Sequence, residues 1–313
     1  MTQGIHHITA VASDAQKTFS FYTNILGLRL VKKTVNQDDV RTYHLFFGDK
    51  LGYPGMDLTF FIFRPSIVGK TGNGFVSKIS FSVPEGSFSF WEDRLEKFGV
   101  KYLKPTRISG NKRLEFFDSD NMHLELVGVT GSELGEDSSV WETNEISKEQ
   151  AIRNFYSATL NVSELGFIDP ILKYVFNYEQ VHKEDNTYTY KIKNSQRAGI
   201  LEVHAEKSME VGQMGTGTVH HIAFRAKDEK AQLAHSRQVL ELGLQPTHVI
   251  DRFYFKSVYF RTPAGILFEI ATDGPGFTAD ESEIELGGKL ALPPFFEHNR
   301  KLIEDNLPLI SLD

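Results

Sequence analysis

Two pairs of adjacent histidines occur in nearly the same local sequence, far apart in the chain. Residues 4–9 read Gly-Ile-His-His-Ile-Thr, and residues 219–224 read Val-His-His-Ile-Ala-Phe. Each pair lies in an apolar run that predicts a strand, where alternate side chains share a face. We therefore expect His7 and His221 on matching faces of two related strands. A lone histidine in a strand is most often structural, but imidazole is also the commonest metal ligand, and here it is repeated.

Each histidine pair opens a longer repeated unit. An aspartate follows the second histidine by seven residues, at Asp14 and Asp228, and predicts a helix N-cap. Gly27 and Gly243 predict where the two helices end, and short alternating runs beyond them predict strands. Two fainter copies of the unit lie in between. The chain therefore divides into four predicted β-α-β-β-β modules, at residues 4–65, 74–130, 151–206 and 217–273.

The modules are predicted to form two halves, residues 1–130 and residues 151–273. Between them, residues 131–150 carry six acidic side chains and one lysine, a composition typical of a linker. Residues 274–313 form a C-terminal tail rich in proline and charge, which we expect to pack as a short helix on the surface.

Composition excludes several classes of function. The 313 residues are 40% hydrophobic and 24% charged, which is typical of a soluble globular protein. A net charge of −7 argues against nucleic-acid binding. No run approaches the roughly 18 apolar residues of a membrane helix, and the N-terminus has no leader pattern, so we expect a cytoplasmic protein with no membrane partner. Because there is no cysteine, a metal site must be built from histidine and carboxylate.

Comparing the four modules with one another selects one pair of them as a metal site. At the position of His7 the modules carry, in order, His7, Lys78, Tyr156 and His221. In the closing strand they carry Thr59, Glu125, Glu202 and Glu269. Two imidazoles and one carboxylate form the facial triad typical of non-haem Fe(II), and only modules one and four together supply it. We therefore predict that module one pairs with module four around a metal held by His7, His221 and Glu269, and that modules two and three enclose a metal-free cavity.

The other histidines carry less information. His6 and His220 point away from the ligand face of their strands. They are interpreted either as solvent-facing residues or as acid–base groups that fold over the cavity. The remaining histidines have no partner pattern and are interpreted as structural: His44, His123, His182, His204, His235, His248 and His298.

Several stretches taken together resemble the vicinal oxygen chelate superfamily, and more narrowly its ring-cleaving dioxygenases of the hydroquinone type. They are residues 4–9, 21–32, 219–224, 251–261, 268–273 and 292–294. The resemblance implies an α+β fold of two incomplete barrels. It also implies Fe(II), sometimes Mn(II), bound by His7, His221 and Glu269. The further site residues that it implies are His6, Thr9, His220, Arg252 and Tyr259.

We accordingly expect an Fe(II)-dependent, extradiol-type dioxygenase that cleaves a hydroquinone or a catechol with O₂. His6 or His220 is the expected proton donor, and Arg252 and Tyr259 are expected to stabilise negative charge on substrate oxygens. The identity of the aromatic and self-association into a homo-oligomer are left open.

Two other functions stay open at this stage. A glyoxalase-like isomerase or lyase takes a fourth protein ligand from the closing strand, where this chain has Thr59, although Asp57 shares its face. A non-catalytic protein that binds a quinone or an antibiotic would use the same cavity without the triad. Dependence on metal and O₂ discriminates among the three functions.

Overall fold

The computed structural model describes residues 4–108, 110–135, 139–193, 195 and 197–312. Within them the chain forms sixteen strands, which follow the four predicted modules in order. Modules one and two contain β1 (Ile5–Ala12), β2 (Arg29–Asn36), β3 (Asp39–Gly48), β4 (Asp57–Ile62), β5 (Phe75–Pro84), β6 (Thr106–Ile108), β7 (Asn111–Phe117) and β8 (His123–Val129). Modules three and four contain β9 (Asn154–Val162), β10 (Tyr178–Glu184), β11 (Thr187–Ile192), β12 (Ile200–Ala205), β13 (Val219–Ala226), β14 (Ile250–Asp251), β15 (Lys256–Arg261) and β16 (Leu267–Thr272).

The helices begin and end where local residue chemistry favours it. They are α1 (Ala15–Ser20), α2 (Phe88–Lys97), α3 (Glu229–Glu241) and α4 (Arg300–Asn306). The predicted N-caps are confirmed: Asp14 accepts a hydrogen bond from the Lys17 amide at 2.9 Å, and Asp228 accepts one from the Ala231 amide at 2.8 Å. The first helix is shorter than expected, because Phe21–Ile25 continues it as a π-helical turn.

The strands form two eight-stranded sheets of the same design. The first has the order β14-β15-β16-β13-β1-β4-β3-β2, and the second has the order β10-β11-β12-β9-β5-β8-β7-β6. The predicted pairing of module one with module four, and of module two with module three, is therefore confirmed. At the centre of the first sheet β1 runs antiparallel to β13, which sets Thr9 opposite His221.

The second sheet has an ion-pair network where the first has its histidines. Arg113 donates to Glu125 at 3.0 Å and to Glu202 at 3.0 Å, and Lys78 donates to Glu125 at 2.9 Å. Ser80 and Thr159 donate to the same two carboxylates. The residues predicted to enclose a metal-free cavity thus form a network of paired charges.

The C-terminal tail contributes to the core of the first sheet as well as to the surface. Its short helices, Pro294–Asn299 and α4, are largely exposed, as expected. Phe277, however, packs with Phe46 in a buried cluster, and Lys32, fully buried on β2, donates to Asp280 at 2.6 Å. No helix among the described residues has the length and apolar character needed to cross a bilayer. The boundaries proposed for the halves and the linker stay predictions.

Arg113→Ala is expected to destabilise the protein strongly, because it leaves Glu125 and Glu202 buried without their shared cation. Removing one partner of a buried pair costs about 3–5 kcal/mol. The matched control is Arg107→Ala, which removes an exposed arginine that pairs with Glu85, and it should cost less than about 1 kcal/mol. Urea unfolding followed by circular dichroism measures both free energies. Similar losses for the two variants would contradict this interpretation.

Candidate metal centre

Three side chains from three neighbouring strands meet at one point in the first sheet. His7 lies on β1, His221 on β13 and Glu269 on β16. The pairing register places His7 opposite Ala223, and Ala223 beside Glu269. His7 and Glu269 therefore lie on the same face of the sheet. His7 Nε2 lies 3.2 Å from His221 Nε2 and 3.2 Å from Glu269 Oε2, and His221 Nε2 lies 3.0 Å from the same oxygen.

The electrostatics of this cluster suit a divalent cation. Burial by itself would raise the pKa of Glu269, but His7 and His221 hold it well below its usual range. Its Oε1 accepts a hydrogen bond from Ser257 at 2.5 Å, whereas its fully buried Oε2 has no hydrogen-bond partner among the described residues. Within that same part of the chain, no other three histidine or carboxylate groups bring their ligand atoms within 4.8 Å of one another. An orphaned buried oxygen beside two imidazole nitrogens is what a bound metal would satisfy.

His6 is connected to His7 in a way that selects its tautomer. His6 Nε2 lies 3.1 Å from the backbone carbonyl of Thr272, which can only accept a hydrogen bond. Burial lowers the pKa of His6 to about 3, so its ring is neutral and its proton sits on Nε2. Its Nδ1 then accepts from His7 Nδ1 at 2.9 Å. The other ring nitrogen, His7 Nε2, is the one that faces His221 and Glu269.

His220 contacts His221 through the same pair of ring nitrogens that joins His6 to His7. Its Nδ1 lies 2.8 Å from Nδ1 of His221, and burial lowers its pKa to about 3. Neither His6 nor His220 lines the cavity beside the cluster. The structure therefore places both candidate proton donors behind the imidazoles rather than over the substrate space.

The cavity opens between β2 and β3 on one side and the 252–259 segment on the other. Its floor includes His7 and His221, and aromatic rings form much of its wall, among them Phe46, Phe61, Tyr254, Phe255 and Tyr259. Water-sized molecules can occupy about 40 Å³ of it. A cavity of this composition suits a flat apolar ligand with polar substituents.

Arg252 and Tyr259 both line this cavity, as the sequence analysis expected of site residues. The Arg252 guanidinium lies 5.5 Å from the Tyr259 ring centre and also pairs with Asp38. Burial and Glu269 raise the pKa of Tyr259, so its hydroxyl keeps its proton at neutral pH. The two side chains therefore present a permanent cation and a neutral hydrogen-bond donor.

His44 is a cavity residue that the sequence analysis interpreted as structural. Its Nε2 lies 2.8 Å from Thr59 Oγ1, which in turn lies 2.8 Å from Thr9 Oγ1. Thr9 itself does not line the cavity, and its hydrogen bond to Thr59 connects it to His44. One signal was available in the sequence: His44 alternates with Phe46 on β3, so the two share a face.

Asp57 is fully buried but lies outside the three-residue cluster. Burial, with Asp49 and Glu269 nearby, raises its pKa well above the usual range. Thr59, at the position where an isomerase would have a ligand, is already bonded to Thr9 and His44.

Comparison with known proteins agrees with this geometry. The model of the Glyoxalase/Bleomycin resistance protein/Dioxygenase superfamily matches residues 4–126 and 149–270. The chain belongs to this superfamily. The predicted family resemblance is thereby confirmed, and the two sheets are its fold.

Full-length relatives are named for one kind of reaction. The chain is 43% identical over 308 residues to "Putative ring-cleaving dioxygenase MhqO" of Bacillus subtilis (strain 168), covering 98% of this chain and 96% of that protein. It is 34% identical to "Chlorohydroquinone/hydroquinone 1,2-dioxygenase" of Sphingobium indicum, covering 94% and 92%. The crystal structure of a "putative dioxygenase from Bacillus subtilis subsp. subtilis str. 168" matches with a TM-score of 0.94 at 40% identity, covering 100% of this chain and 98% of the other.

Adding Mn(II), or Fe(II) under anaerobic conditions, to chelator-treated protein should raise its melting temperature by several degrees. A ligand at a hundred times its dissociation constant stabilises the folded state by about 2.7 kcal/mol. His7→Ala should abolish the rise, whereas His182→Ala, an exposed histidine on β10, should keep it. Differential scanning calorimetry measures the shift. An equal rise in all three proteins would mean that the metal binds elsewhere.

Proposed function

We propose that the chain is an Fe(II)-dependent ring-cleaving dioxygenase of the extradiol type, acting on a hydroquinone or a catechol. The observation that carries the proposal is the convergence of one buried carboxylate with two imidazoles that form the floor of a cavity walled by aromatic rings. The names of the full-length relatives support the same reaction.

His7, His221 and Glu269 would hold the metal, and Mn(II) accepts the same ligands. When bound, Fe(II) would bring the ring oxygen and O₂ side by side and let electrons pass between them. Ser257 restrains Glu269 by donating to Oε1, so that Oε2 faces the imidazoles. His6 and His220 would orient the ligands: His6 accepts the Nδ1 proton of His7, and His220 Nδ1 lies 2.8 Å from Nδ1 of His221, where it would do the same. We propose this orienting role in place of proton donation.

Arg252 and Tyr259 would bind the oxygens of the substrate. The guanidinium stays charged, and the buried phenol stays protonated, so both can stabilise negative charge that develops on a ring hydroxyl. Both groups line the cavity, so they are within reach of a ring that enters it.

His44 would be the proton-handling group inside the cavity. Its ring packs 3.9 Å from Phe46 and 4.4 Å from Phe61, centre to centre. Burial lowers its pKa well below the usual value, so the imidazole is neutral. Its Nε2 is engaged by Thr59, while its Nδ1 has no partner among the described residues and can bond a ring hydroxyl. Thr9 contributes by holding Thr59.

The alternative functions have weaker support from the site. An isomerase needs a fourth ligand, but Thr59 is hydrogen-bonded to His44 and Thr9, and Asp57 lies outside the cluster. A protein that only binds quinones or antibiotics does not need three side chains that converge to hold one metal ion.

The decisive experiment is anaerobic reconstitution with Fe(II), followed by oxygen-electrode assays on hydroquinones and catechols. One O₂ should disappear for each ring opened. Glu269→Gln should lower the rate at least about a hundredfold, since even outer partners of ligands contribute 10–100-fold. The matched control, Glu202→Gln, changes the equivalent residue of the second sheet and should stay active. Turnover with Zn(II) or Ni(II) in the absence of O₂ would instead establish an isomerase.

His44→Phe should keep the metal and lose activity. If His44 only donates a hydrogen bond, kcat/KM should fall about tenfold, and if it transfers the proton, about a hundredfold or more. His182→Phe, the same substitution at an exposed position of the second sheet, is the control. Steady-state kinetics together with metal analysis separate this loss from loss of the cofactor. Full activity in His44→Phe would exclude both roles.

A further inference from the structure

The cavity is too small for the ring that the proposed function requires. Water-sized molecules can occupy about 40 Å³ of it, whereas a cavity that binds benzene has roughly 150 Å³. A dihydroxylated ring is larger than benzene. If the proposed function holds, one wall of the cavity must therefore move for a substrate to reach the floor.

The movable wall lies between the two edges of the first sheet. β2 and β14 are its edge strands, and the curl of the sheet brings the residues that follow each of them together. Among the described residues, two polar contacts cross the gap: Gln37 donates to the Arg252 carbonyl at 2.8 Å, and the Arg252 guanidinium pairs with both oxygens of Asp38, at 3.2 and 2.9 Å.

This contact lies at the boundary between the cavity and solvent. The Asp38 side chain is 74% exposed and that of Arg252 is 18% exposed, so the ion pair spans the boundary. Inward from it lie Tyr259 and then His221, whose ring centre is 5.8 Å from that of Tyr259. The line from Asp38 to His221 therefore runs from the surface to the floor.

The tip of the β2–β3 hairpin is held less firmly than its base. Lower on β2, Lys32 is fully buried and pairs with Asp280, and Asp280 also accepts from Tyr254 on the opposite side. These contacts fix both walls near their base. At the tip, residues 37 and 38 form a turn held across the gap by one neutral hydrogen bond and one half-exposed ion pair, contacts of small net energy.

We propose that the tip of the β2–β3 hairpin, residues 37 and 38, is a substrate gate. The ion pair between Asp38 and Arg252 holds this gate closed. In the closed state, which the structure shows, Asp38 holds Arg252 across the gap. In the open state the ion pair is broken, a ring passes between the sheet edges, and Arg252 is released to bind an oxygen of that ring. The gate rests on the proposed function for the identity of its ligand. Asp38 touches no reacting atom and acts by controlling access.

Stopped-flow binding of 4-nitrocatechol to metal-loaded protein without O₂ tests the gate. Asp38→Asn keeps the size of the side chain and removes its charge. It should speed association two- to fivefold, the range that corresponds to an ion pair of about 0.5–1 kcal/mol. Salt should speed association in the wild type but not in this variant. Gln37→Ala, which removes the other contact, should also speed association.

The matched control is Asp39→Asn. Asp39 pairs with Arg41 and not with Arg252, so the variant removes the same charge one residue away without breaking the Asp38–Arg252 ion pair. Its association rate should equal that of the wild type, which excludes a general effect of charge on an anionic ring. Association in Asp38→Asn at or below the wild-type rate, or a lower kcat with unchanged association, would overturn the gate, the latter by showing that Asp38 merely orients Arg252. Oxygen uptake is measured separately, so a protein that binds the ring through this gate but consumes no O₂ would refute the proposed function alone.

Discussion

The antiparallel pairing of β1 with β13 is the constraint on which the site depends. These strands come from the first and last modules, and their register places Thr9 opposite His221 and His7 opposite Ala223. One register shift would turn alternate side chains to the other face, because the side-chain period of a strand is two. The pairing thus brings two imidazoles from distant parts of the sequence within 3.2 Å of each other. Glu269 joins them because β16 lies directly beside β13.

The two sheets stabilise buried carboxylates in different ways. In the first sheet Glu269 lies against two imidazoles, and one of its oxygens is left without a hydrogen bond among the described residues. In the second sheet Arg113 bridges Glu125 and Glu202, and Lys78 takes the place of the histidine. A buried carboxylate needs a compensating positive group, which can come from the chain or from a bound cation. The same fold therefore carries an internally neutralised network in one sheet and a candidate metal centre in the other.

The polar groups around the candidate site form short chains of hydrogen bonds that extend outward from it. The Thr272 carbonyl acts through His6 on His7, and Thr9 acts through Thr59 on His44. Each hydrogen-bond chain begins at a backbone carbonyl or at a side chain inside the sheet, and strand pairing fixes the position of that first group. Rigid supports of this kind hold imidazoles in one orientation, which a site that binds metal and ring together requires.

The sequence by itself determined the modules, the helix caps and the pairing of module one with module four. Strand alternation, capping by Asp14 and Asp228, and the choice of residue at equivalent repeat positions are local properties that can be read along one chain. Ligand chemistry then pointed to His7, His221 and Glu269, because only modules one and four together supply two imidazoles and a carboxylate. Only the tertiary structure placed His44 in the cavity, His6 behind His7, Arg113 between two glutamates, and Asp38 across from Arg252. Those contacts depend on how far each sheet curls and on which edges meet, and no repeat or spacing in the sequence encodes that curvature.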